Sequence, residues 1–162
     1  MHKNKKNGFT LIELLVVVAI IGVLAAVGVV AFGGFLGNAK VNAAKSNHNA
    51  ITSYLSAEFT KCSLGTTNLT YLTAGDPTNV ACSSGPADHQ TAIIIHLIQS
   101  SFKNPYTQAA GVATGAAGTD PSEGTTSVFC TTTPAGSSKG NCVIRTLFET
   151  GQTALVDTIL KE

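Results

Sequence analysis

The run from Gly8 to Leu36, GFTLIELLVVVAIIGVLAAVGVVAFGGFL, constrains this chain more than any other feature. Its one ionisable side chain is Glu13, and no charge follows from Leu14 to Gly37. About 20 apolar residues rising about 1.5 Å each cross a bilayer core of roughly 30 Å, so the run is long enough to span. His2, Lys3, Lys5 and Lys6 precede it. A basic cluster on that flank holds the N-terminus in the cytoplasm, which puts the C-terminal side outside.

Glu13 is out of place in a plain anchor. A charge within a membrane helix costs about 2.5–3.5 kcal/mol on insertion scales, and such residues usually have a partner. No basic side chain lies within the run. The partner could be an amine released by cleavage after Gly8, on the same chain or on another copy. The second option means an assembly. A secretory signal peptide has a shorter apolar core of about 7–15 residues, although Ala25-Ala26-Val27 or Ala31-Phe32-Gly33 imitates its cut site.

The segment Lys5-Lys6-Asn7-Gly8-Phe9-Thr10-Leu11-Ile12-Glu13-Leu14-Leu15-Val16-Val17-Val18-Ala19-Ile20-Ile21-Gly22 resembles the N-terminal signature of type IV prepilins and the related pseudopilins. The resemblance implies a cleaved leader over residues 1–8, with a prepilin peptidase cutting between Gly8 and Phe9 and methylating the new amine. Glu13 then pairs with the Phe9 terminus of a neighbouring subunit. The implied product is a homo-oligomeric helical filament, built by inner-membrane assembly machinery. The subunit starts in the inner membrane and ends in an extracellular pilus. A major pilin serving adhesion, twitching motility or DNA uptake is the leading role. A type II secretion pseudopilin and a minor or competence pilin are alternatives within the superfamily. A membrane-anchored binding module that never polymerises leaves Gly8-Phe9 with Glu13 unexplained. Type IV pilins often carry a proline in the region of Val30, absent here. Gly22, Gly28, Gly33 and Gly34 are the flexible positions instead, and Gly33 with Gly37 makes a weak small-xxx-small pair.

The full chain of 162 residues carries a formal +1. Losing Lys3, Lys5 and Lys6 with the leader leaves seven basic side chains against nine acidic ones, a balance of −2. Nucleic acid is not indicated by so weak a charge. The four cysteines, Cys62, Cys82, Cys130 and Cys142, all follow the membrane segment, on the side where disulfides persist. Four cysteines permit three pairings. The spacing favours Cys62–Cys82 and Cys130–Cys142, because each pair brackets a turn-rich polar stretch. No Cys-x-x-Cys occurs, and an oxidising compartment argues against zinc.

Beyond the membrane the helical period continues. Val41, Ala44, His48, Ile51, Leu55 and Phe59 form one stripe, which predicts an amphipathic half over 37–60 of a helix running from about Thr10 to Thr60. His48 reads as a core residue. The head then occupies 61–162. Residues 61–86 are rich in Thr, Asn, Ser and Gly, with Asp76-Pro77 and Gly85-Pro86 as turn signals, and predict a disulfide-stapled loop. Asn68-Leu69-Thr70 matches a glycosylation acceptor, a common chance pattern. Residues 87–102 predict a helix capped by Asp88, with Ala92, Ile95 or His96, Ile98 or Gln99 and Phe102 on one face. The β-branched run Ile93-Ile94-Ile95 makes a strand the runner-up. Asn104-Pro105-Tyr106 reads as a corner, similar to one in pilins. Residues 107–124 predict a mobile loop. Antiparallel strands follow over 125–160, as Thr125–Thr132, Asn141–Thr150 and Thr153–Leu160, the last two joined by a glycine-first turn at Gly151-Gln152. The fold class is therefore α+β, a long helix packed on a small antiparallel sheet, Ile144 and Phe148 contributing to its apolar face.

Catalytic and cofactor signals are lacking. Gly136-Ser137-Ser138-Lys139-Gly140 fits Gly-x-Ser-x-Gly, but it sits between two cysteines and no histidine follows it. His89 and His96 are two helical turns apart, with only Asp88 as an acidic companion at metal spacing. No phosphate loop, dinucleotide fingerprint or paired carboxylates appear. The sequence predicts no enzyme, no metal and no cofactor.

Overall fold

The computed structural model describes residues 8–162. Residues 1–7 of the expected leader, with their lysines, lie outside the described residues. The fold is α+β, in two compact units, Met1–Asn38 and Ala39–Glu162. One helix, α1 (Leu11–Ser63), begins in the first and continues into the second.

In the first unit α1 is apolar on every side. None of its most apolar 18-residue stretch is buried within the protein. A helix apolar all round calls for an apolar solvent or a packed assembly. The glycines at 22, 28, 33 and 34 do not interrupt it. In the second unit the stripe is narrow, and Ala44, His48, Ile51, Leu55 and Phe59 are buried at intervals of three and four. Glu58 is buried too, its carboxylate taken by Lys61 one turn on.

The stretch over 61–86 is not a loop throughout. It contains a hairpin of β1 (Asn68–Thr73) and β2 (Asp76–Ala81), paired antiparallel from Asn68↔Ala81 to Thr73↔Asp76. Ala74 and Gly75 both have positive φ, 54° and 94°, the signature of a two-residue hairpin turn. Alternation buries Leu69 and Tyr71 while the polar residues face out. Pro77 is tolerated because this sheet has only two strands, so both are edges.

Helix α2 (Pro86–Gln99) starts with proline in its first turn, which favours helix over strand despite the three isoleucines. Its cap is Gly85 rather than Asp88. Asp88 is the third helical residue, and its Oδ2 accepts from the Gly85 N–H at 3.0 Å. The buried face is Pro86, His89, Ala92, Ile93, Ile94 and Leu97, so the stripe is rotated from the one expected and Ile98 is 40% exposed. Asn104 then makes the corner. Its Oδ1 accepts from the N–H of Tyr106 and Thr107, at 2.8 and 3.2 Å, and its Nδ2 donates to the Glu123 carbonyl at 2.7 Å.

Residues 107–124 contain structure as well. Strand β3 (Val112–Thr114) pairs parallel with β4 (Thr126–Thr132), and Val112 is buried. Parallel pairing is long-range and leaves no local pattern in so short a strand. Strands β5 (Gly140–Thr146) and β6 (Leu155–Lys161) complete a sheet ordered β3-β4-β5-β6, antiparallel from β4 onward. β5 stops at Thr146, short of the expected Thr150. The connection to β6 spans 147–154 in place of a tight turn, with Gly151 at φ 85° inside a bend closed by Gln152 N–H to the Glu149 carbonyl. One core holds α1, α2, the hairpin and the inner sheet face, including Ile51, Leu55, Tyr71, Ile93, Leu97, Val128 and Ile144. Cys62 is bridged to Cys82, and Cys130 to Cys142 across the β4–β5 ladder.

Two polar groups fasten the elements. His48 on α1 places Nδ1 2.9 Å from Thr146 Oγ1 on β5 and Nε2 3.0 Å from Asp157 Oδ2 on β6. Thr146 continues to Thr126 on β4 at 2.7 Å. Lys161, 3% exposed, donates from Nζ to the carbonyls of Cys82 (2.7 Å), Ser84 (2.9 Å) and Ser138 (2.7 Å). Burial lowers its pKa against the raising influence of Asp88.

Candidate processing and assembly site

The residues expected to carry processing and assembly, Gly8, Phe9 and Glu13, lie at the head of α1. Gly8, Phe9 and Thr10 are outside the helix and exposed, Phe9 at 87%. Thr10 caps the start of the helix. Its carbonyl accepts the first helical bond, from the Leu14 N–H at 3.3 Å, and its hydroxyl accepts from the Glu13 N–H at 3.3 Å. Glu13 reaches back, Oε2 accepting from the Thr10 N–H at 2.8 Å and from the Thr10 hydroxyl at 2.7 Å. This is a reciprocal capping box, which satisfies donors that a helix start otherwise leaves unpaired.

The box decides where the helix begins and leaves the Gly8–Phe9 peptide in non-helical chain. It also fixes Glu13 on the face where Phe9, Ile12, Val16 and Val17 line an open groove. Glu13 has an ordinary structural duty here as well as an unusual place, since only apolar side chains and glycines follow it along the helix as far as Gly37. Thr10 is the residue the sequence reading overlooked. The signal was present as Thr-x-x-Glu ahead of an apolar run.

The other residues considered for chemistry hold structure. His89 is fully buried, with Nδ1 3.1 Å from the Tyr71 hydroxyl and Nε2 3.2 Å from the Ala81 carbonyl. Nε2 must therefore carry the proton to donate to that carbonyl, leaving Nδ1 to accept from the tyrosine. Burial lowers its pKa, and the Lys161 charge lowers it further. His96 stacks on Tyr54 and accepts at Nδ1 from the Leu72 N–H at 3.0 Å. Gly136-Ser137-Ser138-Lys139-Gly140 forms the end of the β4–β5 connection, where Ser137 Oγ bonds within the turn to Lys139. Among the described residues no three of His, Cys, Asp and Glu gather in a way that would hold a metal ion.

Against known proteins, the model of the prokaryotic N-terminal methylation motif matches residues 3–29. The type IV major pilin protein PilA of Myxococcus xanthus (strain DK1622) is 51% identical over 49 residues, 30% of this chain and 22% of that protein. A fimbrial protein of Moraxella nonliquefaciens is 49% identical over 41 residues, 25% of this chain and 27% of its own length. The likeness thus covers less than a third of each relative. No solved structure matches.

Proposed function

We propose that this chain, pilin-like in its N-terminal segment, is the structural, major subunit of a type IV pilus. Prepilin peptidase cleaves between Gly8 and Phe9 and methylates the Phe9 amine. Until then residues 9–36 rest in the inner membrane, and afterwards inner-membrane assembly machinery moves them into the core of an extracellular filament. Packing helix on helix exchanges lipid contacts for protein contacts at little net gain in apolar burial. Direction and register must then come from polar groups. Glu13 provides them by accepting from the Phe9 amine of a neighbouring subunit, which offsets the cost of carrying its charge into the core.

The observation that carries this reading is the placement of Glu13. It is the sole ionisable group of the run, held by Thr10 beside an exposed Gly8–Phe9 bond. A cleavable amine and a carboxylate one helical turn apart give each subunit one half of two contacts, and contacts of that kind propagate instead of closing on a dimer. The test is Glu13→Val in cells, with N-terminal mass analysis and sheared-filament yield. The expected result is a mature chain beginning at Phe9, inserted normally, with filaments reduced at least tenfold. Wild-type filament yield from Glu13→Val, or mature wild-type chain that retains Met1, refutes the proposal.

A further inference from the structure

The first two lysines after the uncharged run are held in an unusual way. Lys40 Nζ lies 5.4 Å from the Tyr106 ring centroid, and Lys45 Nζ lies 4.6 Å from that of Phe148. The two rings share one surface, since the Tyr106 hydroxyl donates to the Phe148 carbonyl at 2.5 Å. Asn47 Nδ2 donates to the Lys103 carbonyl at 3.0 Å, which brings a third lysine's backbone to the same stretch of α1. Lys40, Lys45, Tyr106 and Phe148 are all half-buried. Among the described residues neither Lys40 nor Lys45 is in an ion pair. Burial raises the Tyr106 pKa, and the acids on this side, Glu123 and Glu149, raise it further. Glu123 is occupied by the N–H and hydroxyl of Thr150, at 3.2 and 3.1 Å.

We propose that Lys40, Lys45, Tyr106 and Phe148 form a seat for anionic phospholipid headgroups. The proposal rests on the reading of residues 9–36 as the membrane segment. Their uncharged helical part, Leu14 to Leu36, rises about 35 Å at about 1.5 Å per residue, enough for the roughly 30 Å hydrocarbon core. Lys40 follows Leu36 by four residues, about 6 Å of helix, and so stands at headgroup level. Each ammonium has an aromatic face on one side and an open side toward solvent, which suits a lipid phosphate. Tyrosine with lysine is the pairing found at membrane interfaces, ring toward the apolar boundary and charge toward water. A carboxylate on a second copy of this chain is the competing occupant. It is disfavoured here because Lys40 follows the membrane segment by one turn of the same helix and, among the described residues, neither lysine is in an ion pair.

The test places the mature full-length chain in nanodiscs of phosphatidylglycerol and phosphatidylethanolamine doped with a gadolinium-chelating headgroup lipid. Amide NMR signals at 34–37, 103–108 and 146–150 are compared with those of the hairpin at 68–81. The expected result is broadening of all three segments at least twofold beyond the hairpin. The double variant K40S/K45S restores 103–108 and 146–150 to the hairpin level with 34–37 still broadened, and K139S changes nothing. Replacing phosphatidylglycerol by phosphatidylcholine at least halves the effect at 103–108 and 146–150. Broadening at 34–37 alone in the wild-type chain overturns the seat and leaves the membrane reading standing. Failure at 34–37 overturns the membrane reading itself. Broadening at the seat that survives K40S/K45S or phosphatidylcholine overturns the role of charge. Loss of filaments in K40S/K45S without any change in lipid contact assigns the lysines to a second copy.

Discussion

Replacing Lys161 by methionine isolates one buried ammonium that has no carboxylate in contact. The native side chain satisfies three carbonyls, of Cys82, Ser84 and Ser138, at 2.7–2.9 Å. Hydrogen bonds to a charged group contribute about 1.5–3 kcal/mol each, giving roughly 5–9 kcal/mol gross. Against this stands an ammonium only 3% exposed, and desolvating such an ion costs several kcal/mol. The same burial lowers the Lys161 pKa, the direction in which desolvation opposes the charged form. Methionine fills most of the volume but leaves three inward carbonyls without a donor, and the loops can turn only some of them to water. The net expectation is a loss of about 2–3 kcal/mol. For a head of this size that lowers Tm by roughly 8–12 °C. The assay is thermal and urea unfolding of residues 39–162, the second compact unit, followed by circular dichroism with disulfides intact. A Lys161→Met head as stable as wild type, or more so, would show that desolvation outweighs the three bonds and refute the reasoning.

The head should also lose stability on acidification through His89. Its folded pKa is lowered from 6.5, so below about 6.5 the unfolded chain binds the proton first and folding weakens as pH falls. His89→Gln should flatten the slope of urea-derived stability between pH 6.5 and 5 while lowering stability at pH 7. An unchanged slope places the acid response elsewhere. Gly124→Ala tests the Asn104 corner. At φ 73° an added Cβ would stand 2.5 Å from Asn104 Oδ1 and 2.6 Å from Tyr106 Cδ2. The expected cost is about 2–3 kcal/mol, and a change below about 0.5 kcal/mol in urea unfolding would show that the corner moves freely.

What could be read from the sequence followed periodicity and local chemistry. The stripe through Ala44, His48, Ile51, Leu55 and Phe59 was legible because a 3.6-residue period survives over about four turns. β4, β5 and β6 were visible as β-rich runs between turn residues. The hairpin at 68–81 was hidden by its polar outward face, although Leu69 and Tyr71 already alternated. β3 depends on a parallel partner far along the chain, which no local pattern reports. The α2 stripe was misphased because three consecutive isoleucines let several faces look apolar. At the N-terminal site Gly8, Phe9 and Glu13 stood out through the resemblance, whereas the capping pattern Thr10-x-x-Glu13 was overshadowed by the lone charge it contains. Lys161 had a signal in its two-residue spacing from Ile159. Lysine is so rarely buried that the signal pointed the wrong way.

The last strand has a bearing on when the head can close. Asp157 and Lys161 of β6 clasp α1 and two loops, yet they leave the ribosome after every part they hold. Synthesis runs from the N-terminus, so the greasy rod is delivered long before its own clasp exists. On the proposed reading the chain is tethered first and clasped second, and the half-made head waits for β6 on the far side of the membrane.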